Sequence, residues 1–279
     1  MQKKDISVES IGKLHYRHQN DDDGFDKKYI PMMVYKGVGM VWGSIRRESE
    51  RISRDQRMLG DYIGPGNSNY TDYDQAVVKA TTSWIKNKSK QNNSEPWCLY
   101  IGLVAPHFPL VVPKEFYEIY PHELLQKTKL NPKEGFVNHP WIQKQISMRD
   151  NEDDFKNELE RWDAIASYYG LCSFLDFNIG KIIEALSKFG FLDNSTIIYT
   201  SDHGDNVGAR GLWGKSNMYE ESAAVPLIIS NNKMKPSVCK TPVSLLDLSE
   251  TIIDHFDAET PNKGPGKSLY KIANEAYDK

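Results

Sequence analysis

Residues 97–105 form a continuous apolar run, with the polar stretch 87–96 before it and Pro106-His107-Phe108-Pro109 after it. A run of that length predicts a parallel strand covered on both faces. Two shorter runs, 196–200 and 225–230, predict two more strands. Between 154 and 189 the spacing changes to three and four residues. Ile165, Tyr168, Tyr169, Cys172, Leu175, Ile179, Ile182, Ile183 and Leu186 there predict one long amphipathic helix, ending at Gly190. Residues 73–86 predict a second helix on Ala76, Val77, Ala80, Trp84 and Ile85, with Thr71 or Asp72 as its N-cap. Residues 244–256 predict a third. Strand, long helix, strand, loop, strand and helix in that order describe an α/β sheet with helices on its faces.

The remaining segments are less regular. Residues 6–15 are short and mixed, and 20–24 read as an acidic turn whose three aspartates lack the spacing of an EF-hand loop. Residues 29–45 predict a hairpin or small sheet, and 60–70 a loop around Gly64-Pro65-Gly66. From 107 to about 151, prolines at 109, 113, 121, 132 and 140 prevent one regular element. An irregular stretch of that length is expected to be functional or an inserted subdomain.

A length of 279 residues suits one large domain, or one domain with an appendage. With 39% hydrophobic and 26% charged residues, wholesale disorder is excluded. The net charge of -3 gives no electrostatic case for nucleic acid or an anionic membrane. No apolar run approaches the ~18 residues that span a bilayer, and Met1 to Asp5 lack the apolar core of a signal peptide. Cys98, Cys172 and Cys239 are few, odd in number and far apart. That favours a reducing compartment, and so cytoplasm over periplasm, with core packing expected for Cys98 and Cys172. Oligomeric state is left open.

In open α/β sheets, ligands bind beyond the carboxyl ends of the strands. The 97–105 strand delivers His107 there, and the 196–200 strand delivers Asp202 and His203. An aspartate beside a histidine at such a place suits a divalent cation. The plainer alternative has Asp202 capping a turn and His203 lying on the surface. The preceding strand, the glycines at 204, 208, 211 and 214, and Lys215 beyond them outweigh it. Taken alone, His107 is as readily a loop residue, and Lys13 and His15 carry little. Together, two lysines and two histidines supply donors for a tetrahedral anion.

Three stretches in this order resemble sulfatase motifs: Gly12-Lys13-Leu14-His15, Ala105-Pro106-His107-Phe108-Pro109, and the run from Asn194 to Asp205 containing Ser201-Asp202-His203-Gly204. The continuation Gly208-Ala209-Arg210-Gly211-Leu212-Trp213-Gly214-Lys215 is most similar to choline sulfatase-like members of the alkaline phosphatase-like superfamily. The resemblance implies a sulfatase-like α/β sandwich, its mostly parallel central sheet flanked by helices. Residues 1–279 would form a partial catalytic domain lacking the first strand or strands and the C-terminal subdomain, with 16–60 and 107–153 as insertions or long loops. It further implies that Lys13, His107 and Lys215 hold sulfate oxygens, that His15 lies near the nucleophile, and that Asp202 and His203 complete a divalent-metal site. Calcium is the family's metal; an imidazole at 203 admits manganese, zinc or iron. The family's nucleophile is a formylglycine made from the first residue of a Cys- or Ser-x-Pro-x-Arg motif, expected upstream of Gly12. No cysteine or serine of this chain has that context. A fragment that is inactive alone is therefore expected.

Three readings follow: a sulfuric ester hydrolase acting on a small-molecule sulfate ester, a phosphonate or phosphate ester hydrolase of the same superfamily, and a non-catalytic anion- or partner-binding remnant. Trp213 and the aromatic 107–141 stretch are candidates to line a pocket, against the expectation that Phe116, Phe136 and Trp141 pack that stretch onto the domain.

Overall fold

A computed structural model describes residues 4–34, 58–91, 95–148, 152–259 and 264–277. Its first strand, β1 (Ser7–Lys13), is the middle of a parallel three-stranded sheet, flanked by β2 (Lys27–Met32) and β4 (Trp97–Gly102) in the order β2-β1-β4. The mixed sequence hid β1 because it buries Glu9. Tyr29 Oη (2.7 Å), Trp84 Nε1 (3.0 Å) and Ser7 Oγ (3.0 Å) all donate to that carboxylate, so its polar atoms are satisfied inside the fold. β2 runs parallel to β1, so it forms no hairpin with it. The rest of the predicted hairpin, 35–45, lies outside the described residues.

The predicted loop at 60–70 contains a short strand, β3 (Gly64–Pro65), paired in parallel with β5 (Val111–Val112). Helix α1 (Asn69–Lys88) starts earlier than its apolar spacing indicated, because Ser68 and Thr71 form a reciprocal capping box. Its buried face carries Thr71, Asp74, Val77, Val78, Thr81, Trp84 and Ile85, leaving Ala76 outside. Within 107–151 lie β5 and the helices α2 (Lys114–Tyr117) and α3 (Pro140–Met148).

Helix α4 (Glu158–Lys188) is the long helix, capped by the Asn157 side chain on the Glu160 amide at 3.0 Å. One face serves two cores. The first joins Ala164, Ile165, Leu171 and Phe174 to Leu59, Ile63, Leu110, Val112 and Trp213. The second joins Ile182, Ala185 and Leu186 to Ile11, Val77, Val78, Trp84 and Ile85.

After α4 come β6 (Ile197–Thr200), the short α5 (Glu220–Ala223), β7 (Leu227–Ser230), α6 (Leu246–His255) and α7 (Leu269–Tyr277). β6 and β7 pair antiparallel in a sheet of their own. β4 was expected to be covered on both faces, and β6 and β7 to be buried. They are half-buried instead, with Tyr100 47% and Ile228 58% exposed, because β6–β7 shares no ladder with β2-β1-β4 among the described residues and one of its faces lines an open trench.

Candidate active site at the strand ends

Lys13 closes β1, His107 follows β4, and Asp202 and His203 follow β6. All of them, with Lys215, line one cavity of about 800 Å³. The ends of β1 and β4 come together because Gly12 and Gly102 carry no side chain. A Cβ on Gly12, whose φ is +102°, would lie 2.2 Å from the Gly102 carbonyl oxygen, and one on Gly102 would lie 2.2 Å from that of Lys13.

Lys13 Nζ is 3.9 Å from Asp202 Oδ2, and His203 Nε2 is 3.6 Å from Asp202 Oδ1. The rings of His107 and His203 have centroids 6.3 Å apart. Each ring sets its Nδ1 against a backbone carbonyl, Phe108 at 2.7 Å and Gly204 at 2.8 Å. A carbonyl only accepts, so Nδ1 carries the proton in both and Nε2 is left for a ligand. Burial, reinforced by Lys215, pushes His107 down to about 4. His15, at a φ of +64°, is held below the usual imidazole range by burial and by Lys13 and Lys215. Burial opposes ionisation of Asp202, but Lys13, His203 and Lys215 outweigh it and hold the carboxyl below its usual range. Burial and Lys13 together lower Lys215. The six predicted positions thus share one electrostatic neighbourhood, which Asp74 and Asp205 join through Lys13 and Lys215.

Lys215 is delivered by a closed loop. Asp205 accepts from the amides of Val207 (2.9 Å) and Gly214 (3.0 Å), and both the amide and side-chain nitrogen of Asn206 donate to the Gly214 carbonyl, at 2.8 and 2.6 Å. Behind the loop, Trp213 is 4% exposed, which removes it as a pocket-lining aromatic. Its indole donates to Glu152 (2.7 Å), Glu152 receives Arg161 Nε (2.9 Å), and Arg161 Nη2 donates to Thr128 (2.8 Å). This network fastens the 107–153 stretch to the loop, and sequence spacing gave no sign of it. Phe116 packs on Phe174 at 5.5 Å as expected, and Phe136 lies 5.8 Å from the Arg210 guanidinium. Trp141, expected to pack, is 57% exposed on the outer face of α3.

The other wall of the cavity is apolar: Tyr168, Cys172, Leu175, Ile179 and Ile183 of α4 face Ile197, Tyr199 and Ile228 of the β6–β7 sheet. Cys172 therefore is not a core residue. It lies in the trench wall, where surrounding atoms still push its thiol up to about 11.

Asp202 and His203 offer a carboxylate oxygen and an imidazole nitrogen, and the Nδ1–H bond to Gly204 orients the ring as a metal-binding histidine requires. These two fit part of a divalent-metal site. No group of three or more His, Cys, Asp or Glu suited to a metal occurs among the described residues. The chain offers no Cys- or Ser-x-Pro-x-Arg context for a formylglycine.

Residues 1–258 match the sulfatase family model. The chain belongs to the sulfatase family. Members of this family generally use a metal ion and a formylglycine. This sulfatase-family chain is 30% identical over 253 residues to a choline-sulfatase of Rhizobium meliloti, covering 87% of the chain and 48% of that protein. It is 29% identical over 211 residues to an arylsulfatase of Clostridium perfringens, covering 70% and 42%. It shares its fold with a phosphonate monoester hydrolase of Agrobacterium radiobacter, with a TM-score of 0.69 and 19% identity over 97% of the chain and 60% of the hydrolase. The chain spans about half the length of the curated relatives it matches.

Proposed function

We propose that this chain carries the anion-holding part of a sulfuric ester hydrolase site and that the attacking nucleophile comes from sequence outside these 279 residues. The observation that carries this is the convergence of Lys13, His107 and Lys215, from three separate segments, on one cavity beside Asp202 and His203. Lys13 and Lys215 supply two ammonium groups, beside the carboxylate of Asp202 and that of Asp205, whose ionisation burial opposes. Fixed donors of that kind stabilise charge that grows on sulfuryl oxygens as the ester bond breaks. His107 waits neutral, its Nδ1–H committed to Phe108. A dianion raises the proton affinity of its Nε2, so the protonated ring donates to the bound oxygen. His15 is exposed, outside the cavity lining but within the field of Lys13 and Lys215, and its proposed role is to relay a proton to or from an attacking group.

Asp202 and His203 would hold a divalent ion, calcium by family and manganese or zinc by the imidazole. Such an ion supplies Lewis-acid polarisation of a sulfuryl oxygen. Small-molecule sulfate esters are the substrates proposed, on the strength of the chain's membership in the sulfatase family.

The test joins this chain to a segment supplying a Cys-x-Pro-x-Arg motif, in the longer protein or by fusion, and measures sulfate ester hydrolysis. Turnover that disappears in the Lys215→Ala variant supports the proposal. Turnover by the 279 residues alone, above their own Lys215→Ala control, overturns the part that places the nucleophile elsewhere. Phosphonate or phosphate ester hydrolysis is the second reading, favoured by His203, which departs from an all-oxygen calcium site. Parallel assays on sulfate and phosphate monoesters decide between them.

A further inference from the structure

The buried face of α1 contains one carboxylate, Asp74, that is 1% exposed. Its two oxygens each accept a backbone amide, Val104 at 2.7 Å and Ala105 at 2.8 Å. These amides lie between the end of β4 and His107, and the His107 amide donates back to the Val104 carbonyl at 3.0 Å. Three short bonds therefore connect a helix side chain to the backbone that carries the imidazole. The helix is itself fixed against the Lys13 strand. Val77, nearly one turn beyond Asp74, packs where a Cβ on Gly12 would come within 3.1 Å of it.

A carboxylate is a costly way to fasten a loop. Burial pushes Asp74 up to about 6, and the two amides and the charge of Lys13 only partly relieve it. An ionised acceptor in return makes shorter, stronger bonds than a neutral one, and so holds its partners more tightly.

We infer that Asp74 is a positioning residue for His107: through the Val104 and Ala105 amides it fixes the turn that aims Nε2 into the cavity. The inference rests on reading His107 as an anion donor. Asp74 touches no substrate. It couples α1, which also packs against the strand that carries Lys13, to the second donor, so both anion contacts are referred to the same helix.

The test compares Asp74→Asn with Ile85→Val, a buried change farther along α1, in the 279-residue chain. The readouts are inorganic sulfate affinity by calorimetry, melting temperature, and the His107 imidazole resonances. Asparagine keeps the size but turns a donor toward one of the two amides. Its sulfate affinity is expected to fall about tenfold and its His107 ring signals to move, while Ile85→Val stays within about twofold with those signals unchanged. Equal sulfate affinity and unmoved His107 signals in Asp74→Asn overturn the inference. If the wild-type chain binds no sulfate, the anion-site reading fails, and the imidazole signals alone decide the role of Asp74. If Asp74→Asn does not fold, hydrogen exchange on the wild-type chain decides. Val104 and Ala105 amides protected with the β1 core support the inference, and free exchange there overturns it.

Discussion

Replacing Arg161 by methionine probes whether the 107–153 stretch is fastened to the Lys215 loop through a buried ion pair. The Arg161 side chain is 7% exposed and Glu152 is 13% exposed, with Nε to Oε2 at 2.9 Å and Oε1 at 3.2 Å. Methionine keeps most of the volume over Trp213, whose ring lies 6.0 Å from the guanidinium. It leaves the Glu152 carboxylate with the Trp213 indole but without the guanidinium, and Thr128 without the Nη2 donor. Breaking one partner of such a pair costs about 3 to 5 kcal/mol. At about 2 to 4 °C per kcal/mol for a chain of this size, melting should fall by roughly 6 to 20 °C. Glu152→Gln retains an acceptor for the Trp213 indole and should cost about 1.5 to 3 kcal/mol, the worth of a charge-assisted bond. Urea unfolding of both single variants and the double variant closes a thermodynamic cycle. The double variant should cost at least about 1 kcal/mol less than the sum, because the second change removes the charge that has lost its guanidinium. Sulfate affinity should fall in Arg161→Met, since Gly214 and Lys215 follow directly on Trp213. Additivity within about 0.5 kcal/mol would falsify the claim that these residues act as one fastening.

Acid provides another test. Between pH 6.5 and about 4 the unfolded chain protonates His107 and the folded chain does not, so its contribution to stability falls as pH falls, by about 2 to 3 kcal/mol at pH 4.5. Asp74 has the opposite sign. Raised to about 6, it contributes stability that is complete below 3.8 and lost as pH rises through 6, which masks the histidine in the wild type. His107→Gln should therefore gain about 2 to 3 kcal/mol relative to wild type between pH 7 and 4.5 in urea titrations, and a pH-independent difference refutes the neutral ring. Gly102→Ala, whose Cβ would meet the Lys13 carbonyl at 2.2 Å, should cost about 1 to 3 kcal/mol or more and abolish sulfate binding; wild-type calorimetry from this variant refutes the close approach. Iodoacetamide at pH 8 should label Cys239 well before Cys172, whose thiol is pushed up to about 11, and mass spectrometry of the digest reads the order.

The elements with one dominant signal were legible. The uncharged run gave β4, three- and four-residue spacing gave α4 and α6, and short apolar runs gave β6 and β7, because burial and periodicity are local properties. β1 was missed because a buried Glu9 is stable only with Tyr29 and Trp84, which are 20 and 75 residues away in sequence. Of the six candidate residues read from strand ends, glycine spacing and motif order, Lys13, His107, Asp202, His203 and Lys215 line one cavity, and His15 lies outside that lining. Trp213 and Cys172 exchanged places relative to expectation. The indole is buried because Glu152 satisfies its N–H, and the thiol faces the trench because α4 has apolar side chains on more than one face. Asp74 was invisible as a site residue because its partners are backbone amides, which no side-chain pattern records.

The separation of the β6–β7 sheet from the β2-β1-β4 sheet among the described residues has a consequence for cooperativity. β1, with five of its seven residues buried, is knitted on both sides into the α1 core, while β6 pairs only with a half-exposed β7 among the described residues. Local opening is cheapest where backbone bonds are exposed and few apolar contacts must break. The β6–β7 unit should therefore open before the β1 unit does. Asp202 and His203 are carried by the first of these units and Lys13 and His107 by the second, so an anion or divalent ion held by both works as a staple between them. Its binding should slow hydrogen exchange most along β6 and β7, and leave the already slow amides of β1 almost unchanged.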